Sequence, residues 1–225
     1  MTTPDTRQRS ARLPRSARRK QLLGAAREVF VAHGYHAAAM DEIAERAGVS
    51  KPVLYQHFPS KRELYLALVQ QHSDELLEAI RAALASTTNN KQRVAATMAA
   101  YFSFIDSGSD GFRLVFESDL NNDPDVADLL SSVSEGCAEA IADVIRDDTG
   151  LPEAEAELLG FALAGMANIV ARYWLRSGRK VPRPVADHLV GQLAWRGVRG
   201  FPKAEQRGEP ASEQAESASP YGGQP

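Results

Sequence analysis

The chain has 225 residues, 44% hydrophobic and 24% charged, enough apolar material for a buried core, which excludes a disordered or fibrous chain. A single cysteine, Cys137, excludes an intramolecular disulfide framework and suits a reducing compartment. The formal charge of −3 is unevenly divided: residues 1–62 carry twelve Lys/Arg against five Asp/Glu, residues 63–225 fourteen against twenty-four. A cationic head on an acidic body places any polyanionic partner at the head.

In chain order, residues 1–14 are Arg-rich with two prolines and no periodicity, and read as a basic arm. A first helix is predicted from Arg15 to His33, with Leu22, Ala26, Val29 and Phe30 on one face and Gly34 ending it. "DEIAERA" and "KPVLYQH" predict two short helices over 41–47 and 51–57, separated by Gly48. Ser60 and Glu63 have the spacing of a capping box. The long helix they open carries Tyr65, Leu68, His72, Leu76, Ile80 and Leu84 at helical intervals.

"STTNN" precedes a helix with Val94, Met98, Tyr101, Phe102 and Ile105, and "SGSDG" precedes a short aromatic helix in "FRLVFESDL". "NNDP" introduces an amphipathic helix with Val126, Leu130, Val133, Cys137, Ile141 and Val144 on one side. "TGLP" opens a helix over 153–176, and "SGRKVPRP" separates it from a last helix ending near Phe201. Residues 203–225 have little to bury and are expected to be disordered. Nothing alternates with period two, so the expectation is an all-α protein of about nine helices. Its parts are an arm over 1–14, a helix-turn-helix head over 15–60, a ligand-binding and dimerisation body over 61–202, and a tail.

The apolar stretch "LLGAAREVF" is interrupted by Arg27 and Glu28, so no signal peptide is expected. The longest apolar run, 158–171, is short for a bilayer span. The expectation is a cytoplasmic protein with no membrane partner.

The two short helices make a helix-turn-helix unit, in which the second helix enters a DNA major groove. Ile43, Ala44, Ala47, Val49, Val53 and Leu54 supply its inner face, and Gly48 the left-handed backbone of the turn. Ser50 stands at the N-cap and Pro52 in the first turn, where a missing N–H costs nothing. Lys51, Tyr55, Gln56 and His57 then face outward. Lys and Tyr suit phosphates, and Gln or Lys suits base edges. The candidate DNA contacts are Arg15, Ser50, Lys51, Pro52, Tyr55, Gln56, His57 and Lys61, the last adding positive charge beside the groove.

"GYHAAAMDEIAERAGVSKPVLYQHFPSKRELYLAL" resembles the DNA-binding signature of the TetR family of one-component transcriptional regulators. One departure is Ala39, where the family usually has a Thr that caps the second helix and touches a phosphate. "TTNNKQR", "GFRLVFESDLNNDPDVA" and "ARYWL" are similar to the actinobacterial branch of that family that regulates fatty-acid synthase genes. That resemblance implies a long-chain acyl-CoA effector.

On its own terms, the helix at 153–176 is apolar or small all round from Leu158 to Ala171 except at Asn168. Such a helix must be covered on every side, one side by its own core and another by a second subunit. With the last helix (Val185, Leu189, Leu193, Ala194, Val198) it predicts a two-fold homodimer. Two reading heads would then meet half-sites of a palindrome about one helical turn, roughly 34–36 Å, apart.

A ligand pocket is expected around the aromatic cluster Phe102, Phe112 and Phe116. Its other walls would be Leu68, His72 and Leu76; Leu129, Val133, Cys137 and Ile141; and Leu163, Met166 and Ile169, with Trp174 nearby. Arg172 and Arg176 would meet an anionic head group or pair with Glu117 or Asp119. Two residues also fit blander roles, His72 as a satisfied core histidine and Cys137 as a small core residue.

No enzyme motif is present: no paired-His metal spacing, no Gly-flanked nucleophilic serine, no phosphate loop. Neither a metal nor a cofactor is expected besides the effector. Two other readings stay open, a similar repressor of an efflux or catabolic operon with another apolar ligand, and a non-specific architectural DNA-binding protein.

Overall fold

Helix dominates because the apolar residues recur at three- and four-residue intervals throughout. The computed structural model describes residues 13–107 and 123–198, and all regular structure among them is helical. The elements are α1 Arg15–Ala37, α2 Met40–Arg46, α3 Lys51–His57, α4 Lys61–Ala85, α5 Asn90–Ser107, α6 Pro124–Thr149, α7 Glu153–Arg176 and α8 Arg183–Val198. The aromatic helix expected in "FRLVFESDL", the basic arm up to residue 12, the tail and Phe201 lie outside the described residues, as do Phe112, Phe116, Glu117 and Asp119.

The boundaries follow local chemistry. α1 runs on past His33 to Ala37, broken at Gly34 (φ 74°, ψ 172°), a conformation that only glycine adopts cheaply. α2 begins at Met40 behind an Ala39 cap that makes no side-chain bond, and Asp41 and Glu42 in its first turn favour its positive end instead. The Ser60 hydroxyl accepts the Glu63 N–H at 3.1 Å, one half of the capping box expected for α4. Asp123 performs the same service for α6, accepting the Asp125 N–H at 3.1 Å.

The described residues pack as two units: one takes in 13–76 together with 123–133, the other 77–106 together with 134–198. The division falls inside α4. In the first unit Leu22, Ile43, Leu54, Phe58, Leu64 and Leu68 are fully buried. Phe30, Tyr35 and Tyr65 form an aromatic cluster with ring centres 5.1–6.0 Å apart. In the second unit Phe102 packs on Trp174 at 5.5 Å, and Ala142, Leu151 and Ala156 form a further core. α7 approaches α6 closely at Gly160, where a Cβ would come within 2.4 Å of the Ala138 carbonyl oxygen.

α7 is long and apolar enough, by length and composition alone, to cross a bilayer, a test that a core helix also passes. Its inward side is small, with Ala156, Gly160, Ala167 and Ala171 buried beside Trp174. Its outward side leaves Leu158 71% and Ile169 70% exposed, with Phe161 and Tyr173 also exposed. α8 likewise exposes Val185, Leu189 and Leu193, one stripe of three residues spaced four apart.

Candidate nucleic-acid interface

The head is assembled around a short turn. The Gly48 N–H donates to the Glu45 carbonyl at 2.9 Å and the Val49 N–H to the Ala44 carbonyl at 3.0 Å. Gly48 has φ 63°, the left-handed conformation expected there. α3 is anchored by Leu54 and Phe58, both buried, which turns Lys51, Pro52, Tyr55 and Gln56 outward. Tyr55 is 45% exposed, unusual for an aromatic residue with no covering group. Ser50 occupies the N-cap position, yet its hydroxyl makes no capping bond. The N-terminal end of α3 therefore presents an exposed hydroxyl beside helix N–H groups, a combination suited to a phosphate oxygen.

Lys51 Nζ donates to Asp41 Oδ2 at 2.6 Å, with both side chains more than half exposed. An exposed pair of this kind is weak, about 0–1 kcal/mol, and gives way readily to a phosphate.

α1 brings more charge than the sequence reading assigned. Only Arg15 was singled out from "RSARRKQ", but Arg15, Arg18 and Arg19 all act on His57 at the far end of α3. Burial first, then these three cations, hold the His57 imidazole below its ordinary range. The Arg19 guanidinium lies 4.5 Å from the centre of the Phe58 ring. Gln21 ties α1 to the turn by donating to the Ala47 carbonyl at 2.8 Å. The run of three arginines and a lysine within six residues was the available signal. What it lacked was the information that α1 starts beside the end of α3.

Lys61, the first residue of α4, is bonded to the end of α1. Its ammonium donates to the carbonyls of Tyr35 (2.8 Å), His36 (3.1 Å) and Ala38 (2.9 Å), and lies 4.6 Å from the centre of the Tyr35 ring. An ammonium has three N–H donors, and here all three go to the end of α1. These bonds fasten α4 to the segment that Gly34 unwinds. The next residue, Arg62, grips Asp123 through two bonds (3.0 and 2.8 Å) and also reaches Asp125. That pairing holds the Asp123 carboxyl below the usual carboxylate range.

The residues predicted to line a ligand pocket divide between the two units. In the first, Leu68, His72, Leu76 and Val133 are buried and Leu129 is half-buried. His72 Nδ1 is 2.9 Å from Glu75 Oε2, while its Nε2 is buried without a partner. In the second, Phe102, Cys137 and Trp174 are buried, Leu163, Met166 and Arg172 half-buried, and Ile169 points outward. Trp174 is a closing residue: its indole N–H donates to the Val181 carbonyl at 2.6 Å and holds the α7–α8 turn. Burial pushes the Cys137 thiol up to about 11, which makes it an inert core residue. Tyr101, which sequence reasoning left out of the site, is buried within electrostatic reach of Cys137 and Arg172, and burial raises its hydroxyl pKa. Among the described residues no cluster of His, Cys, Asp and Glu is arranged to hold a metal ion.

Comparison with known proteins agrees with this geometry. Residues 22–68 match the family of bacterial regulatory proteins of the tetR type, and residues 79–206 match the tetracyclin repressor-like C-terminal domain. The chain is 49% identical over 194 residues to the HTH-type transcriptional activator FasR of Mycolicibacterium smegmatis, covering 86% of this chain and 89% of that one. The head alone is 43% identical over 67 residues to the HTH-type transcriptional regulator RutR of Escherichia coli K12, covering 30% and 32% of the two chains.

Among solved structures, a TetR-like regulator from Rhodococcus sp. RHA1 superposes with a TM-score of 0.65 at 29% identity, over 84% of this chain and all of that one. The regulator FadR from Bacillus subtilis, in complex with stearoyl-CoA, shares the fold (TM-score 0.64, 18% identity, 78% and 96% coverage). With an exposed recognition helix on a cationic head, an all-helical body and these matches across both, the chain belongs to the TetR family and is a DNA-binding transcriptional regulator, not an enzyme.

Proposed function

We propose that the protein acts in the cytoplasm as a homodimer whose hold on a palindromic operator is set by a long-chain acyl-CoA, controlling genes of fatty-acid synthesis. The observation that carries this reading is the 49% identity with FasR, which runs through the body as well as the head. Effector chemistry is a property of the body, so likeness there bears on the ligand. The stearoyl-CoA complex of the FadR of Bacillus subtilis supports the ligand class through the shared fold.

Dimerisation is supported by the outward faces of α7 and α8. Leu158, Phe161, Ile169 and Tyr173, with Val185, Leu189 and Leu193, are exposed in the single chain. A second copy covering them by a two-fold operation places two α3 helices on one duplex. Such a contact also accounts for the bilayer-like length of α7 without a membrane.

Control follows from differential affinity. α4 carries Lys61 in its first turn and continues unbroken to Ala85. A ligand that binds the body and displaces α4 changes the posture of the head. A hundredfold change in operator affinity needs about 2.7 kcal/mol of preference between the two states.

The test is fluorescence anisotropy on the promoter DNA nearest the gene, with and without acyl-CoA, alongside light scattering. A dimer whose operator affinity responds to a long-chain acyl-CoA, and not to acetyl-CoA, is the expected result. A stable monomer at micromolar concentration removes the dimer, and equal responses to both chain lengths remove the acyl-chain effector.

A further inference from the structure

The second unit has a partly open cavity of about 90 Å3. α5 lines it with one stripe, since Asn90, Arg93, Thr97 and Met98 recur at helical spacing on its wall. Leu163 of α7 and Trp195 of α8 are among the residues facing them. The cavity is graded in polarity. At one end Arg93 donates to Asp148 Oδ2 (2.6 Å), Asn90 Oδ1 (2.9 Å) and the carbonyls of Leu84 and Thr87 (3.0 and 2.8 Å). The charge there is closed on itself. Further along the stripe stands Thr97, 4% exposed, whose hydroxyl has no hydrogen-bond partner. Beyond it the wall is hydrocarbon.

A buried hydroxyl without a partner weakens a fold, and native proteins rarely keep one without a reason. Four side-chain atoms of this kind occur among the described residues, on His72, Ser73, Thr97 and Asn168. Of these four residues, Thr97 is on the cavity wall.

We infer that this cavity is a binding site for a second small molecule, neutral and mainly apolar, carrying one oxygen that hydrogen-bonds to Thr97 Oγ1. Ketones, esters and short alcohols have that chemistry. The ligand is neutral because Arg93 and Asp148 cancel one another, so the site offers no net charge to balance an ion. It is apolar because the remaining walls lose contacts to an empty space that hydrocarbon fills well. It is small, on the order of four or five heavy atoms, since a cavity of about 150 Å3 takes benzene. Ile141 and Leu163 are the residues this wall shares with the predicted acyl-CoA lining, whose other described members lie off it. The site is thus argued independently of the acyl-CoA reading and stands or falls apart from it.

The experiment uses the full-length protein without DNA or acyl-CoA, labelled with 13C at the methionine methyls, and two probes, 2-butanone and xenon. Met98 reports from the cavity wall, while Met40 of α2 serves as a control in the other unit. Both probes are expected to shift the Met98 methyl saturably and leave Met40 unmoved. Thr97→Val keeps the shape and removes the hydroxyl. It should weaken 2-butanone about fivefold, the effect of one neutral hydrogen bond, and leave xenon unchanged. Thr97→Ser, which keeps the hydroxyl, should retain 2-butanone binding and guards against a folding defect in the valine variant. Unchanged 2-butanone affinity in Thr97→Val overturns the hydrogen bond, and a linear Met98 response to both probes in the wild-type protein overturns the site.

Discussion

Lys61 Nζ lies 2.8 Å from the Tyr35 carbonyl oxygen and 4.6 Å from the centre of the Tyr35 ring. One side chain thus neutralises the negative end of α1 and rests on an aromatic face at once. The contact exists because Gly34 unwinds the helix just before Tyr35 and frees carbonyls for an ammonium to collect.

From this follows a separation of two lysines that look alike in the sequence. Lys61→Met should lower stability by about 1.5–3 kcal/mol, the range for hydrogen bonds to a charged group, and leave the salt dependence of operator binding unchanged. Lys51→Ala should leave stability nearly intact and reduce the salt slope by about one unit. Urea denaturation and anisotropy at several salt concentrations measure both. A reduced slope in Lys61→Met would return that residue to the phosphate contacts.

His57 supplies a pH test of the interface. Burial and the nearby Arg15, Arg19 and Arg18 lower its pKa, so the free head holds it neutral at pH 7. Phosphate approaching the same arginines offsets their repulsion and raises that pKa in the complex. Binding then takes up a proton, and operator affinity should rise as pH falls from 7.5 towards about 6, near the ordinary histidine range. His57→Gln should flatten that dependence. A wild-type profile as flat as that of the variant would take His57 out of the interface.

The Arg62–Asp123 grip has its own pH signature. A carboxyl held below its usual value stabilises the fold above the unfolded pKa of about 3.9, and this contribution is lost as pH falls through the folded value. Comparing the melting temperature of Arg62→Gln with wild type should show a gap at pH 6 that closes in strong acid. A gap that persists well below pH 3 would point to packing by the arginine stem and not to the ion pair.

Gly160 should tolerate nothing larger. A methyl there meets the Ala138 carbonyl oxygen at 2.4 Å, backbone against backbone, so α6 and α7 must move apart. Gly160→Ala is expected to cost at least about 1–3 kcal/mol. Gly24→Ala in α1 meets nothing within 4 Å and should be neutral or slightly stabilising by helix propensity. Thermal denaturation of the two variants side by side gives the comparison.

The reading head was largely legible because its logic is local. Gly48 with φ 63°, Leu54 as the buried anchor, and Lys51 and Tyr55 facing outward all follow from residues within one or two turns of one another. The body was less so. Trp174 and Cys137 are buried, the first holding the α7–α8 turn, and the residues bracketing Thr97 in the cavity come from five separate helices. Ile169 lies on the outward face of α7, where only the direction of neighbouring helices could place it.

By itself, then, the order of residues determined the helices, the turn between α2 and α3, the charge of the head and the family. These depend on periodicity, on backbone conformations open to glycine, and on spacing within one or two turns, all of which act over short range. Only the tertiary structure decided that Lys61 fastens α4 to the end of α1, that Arg18 and Arg19 join Arg15 beside His57, and that Thr97 lies unpartnered on a cavity wall. A hydrogen bond or an ion pair needs its partner within about 3 Å, and partners tens of residues apart are brought to that distance by packing alone.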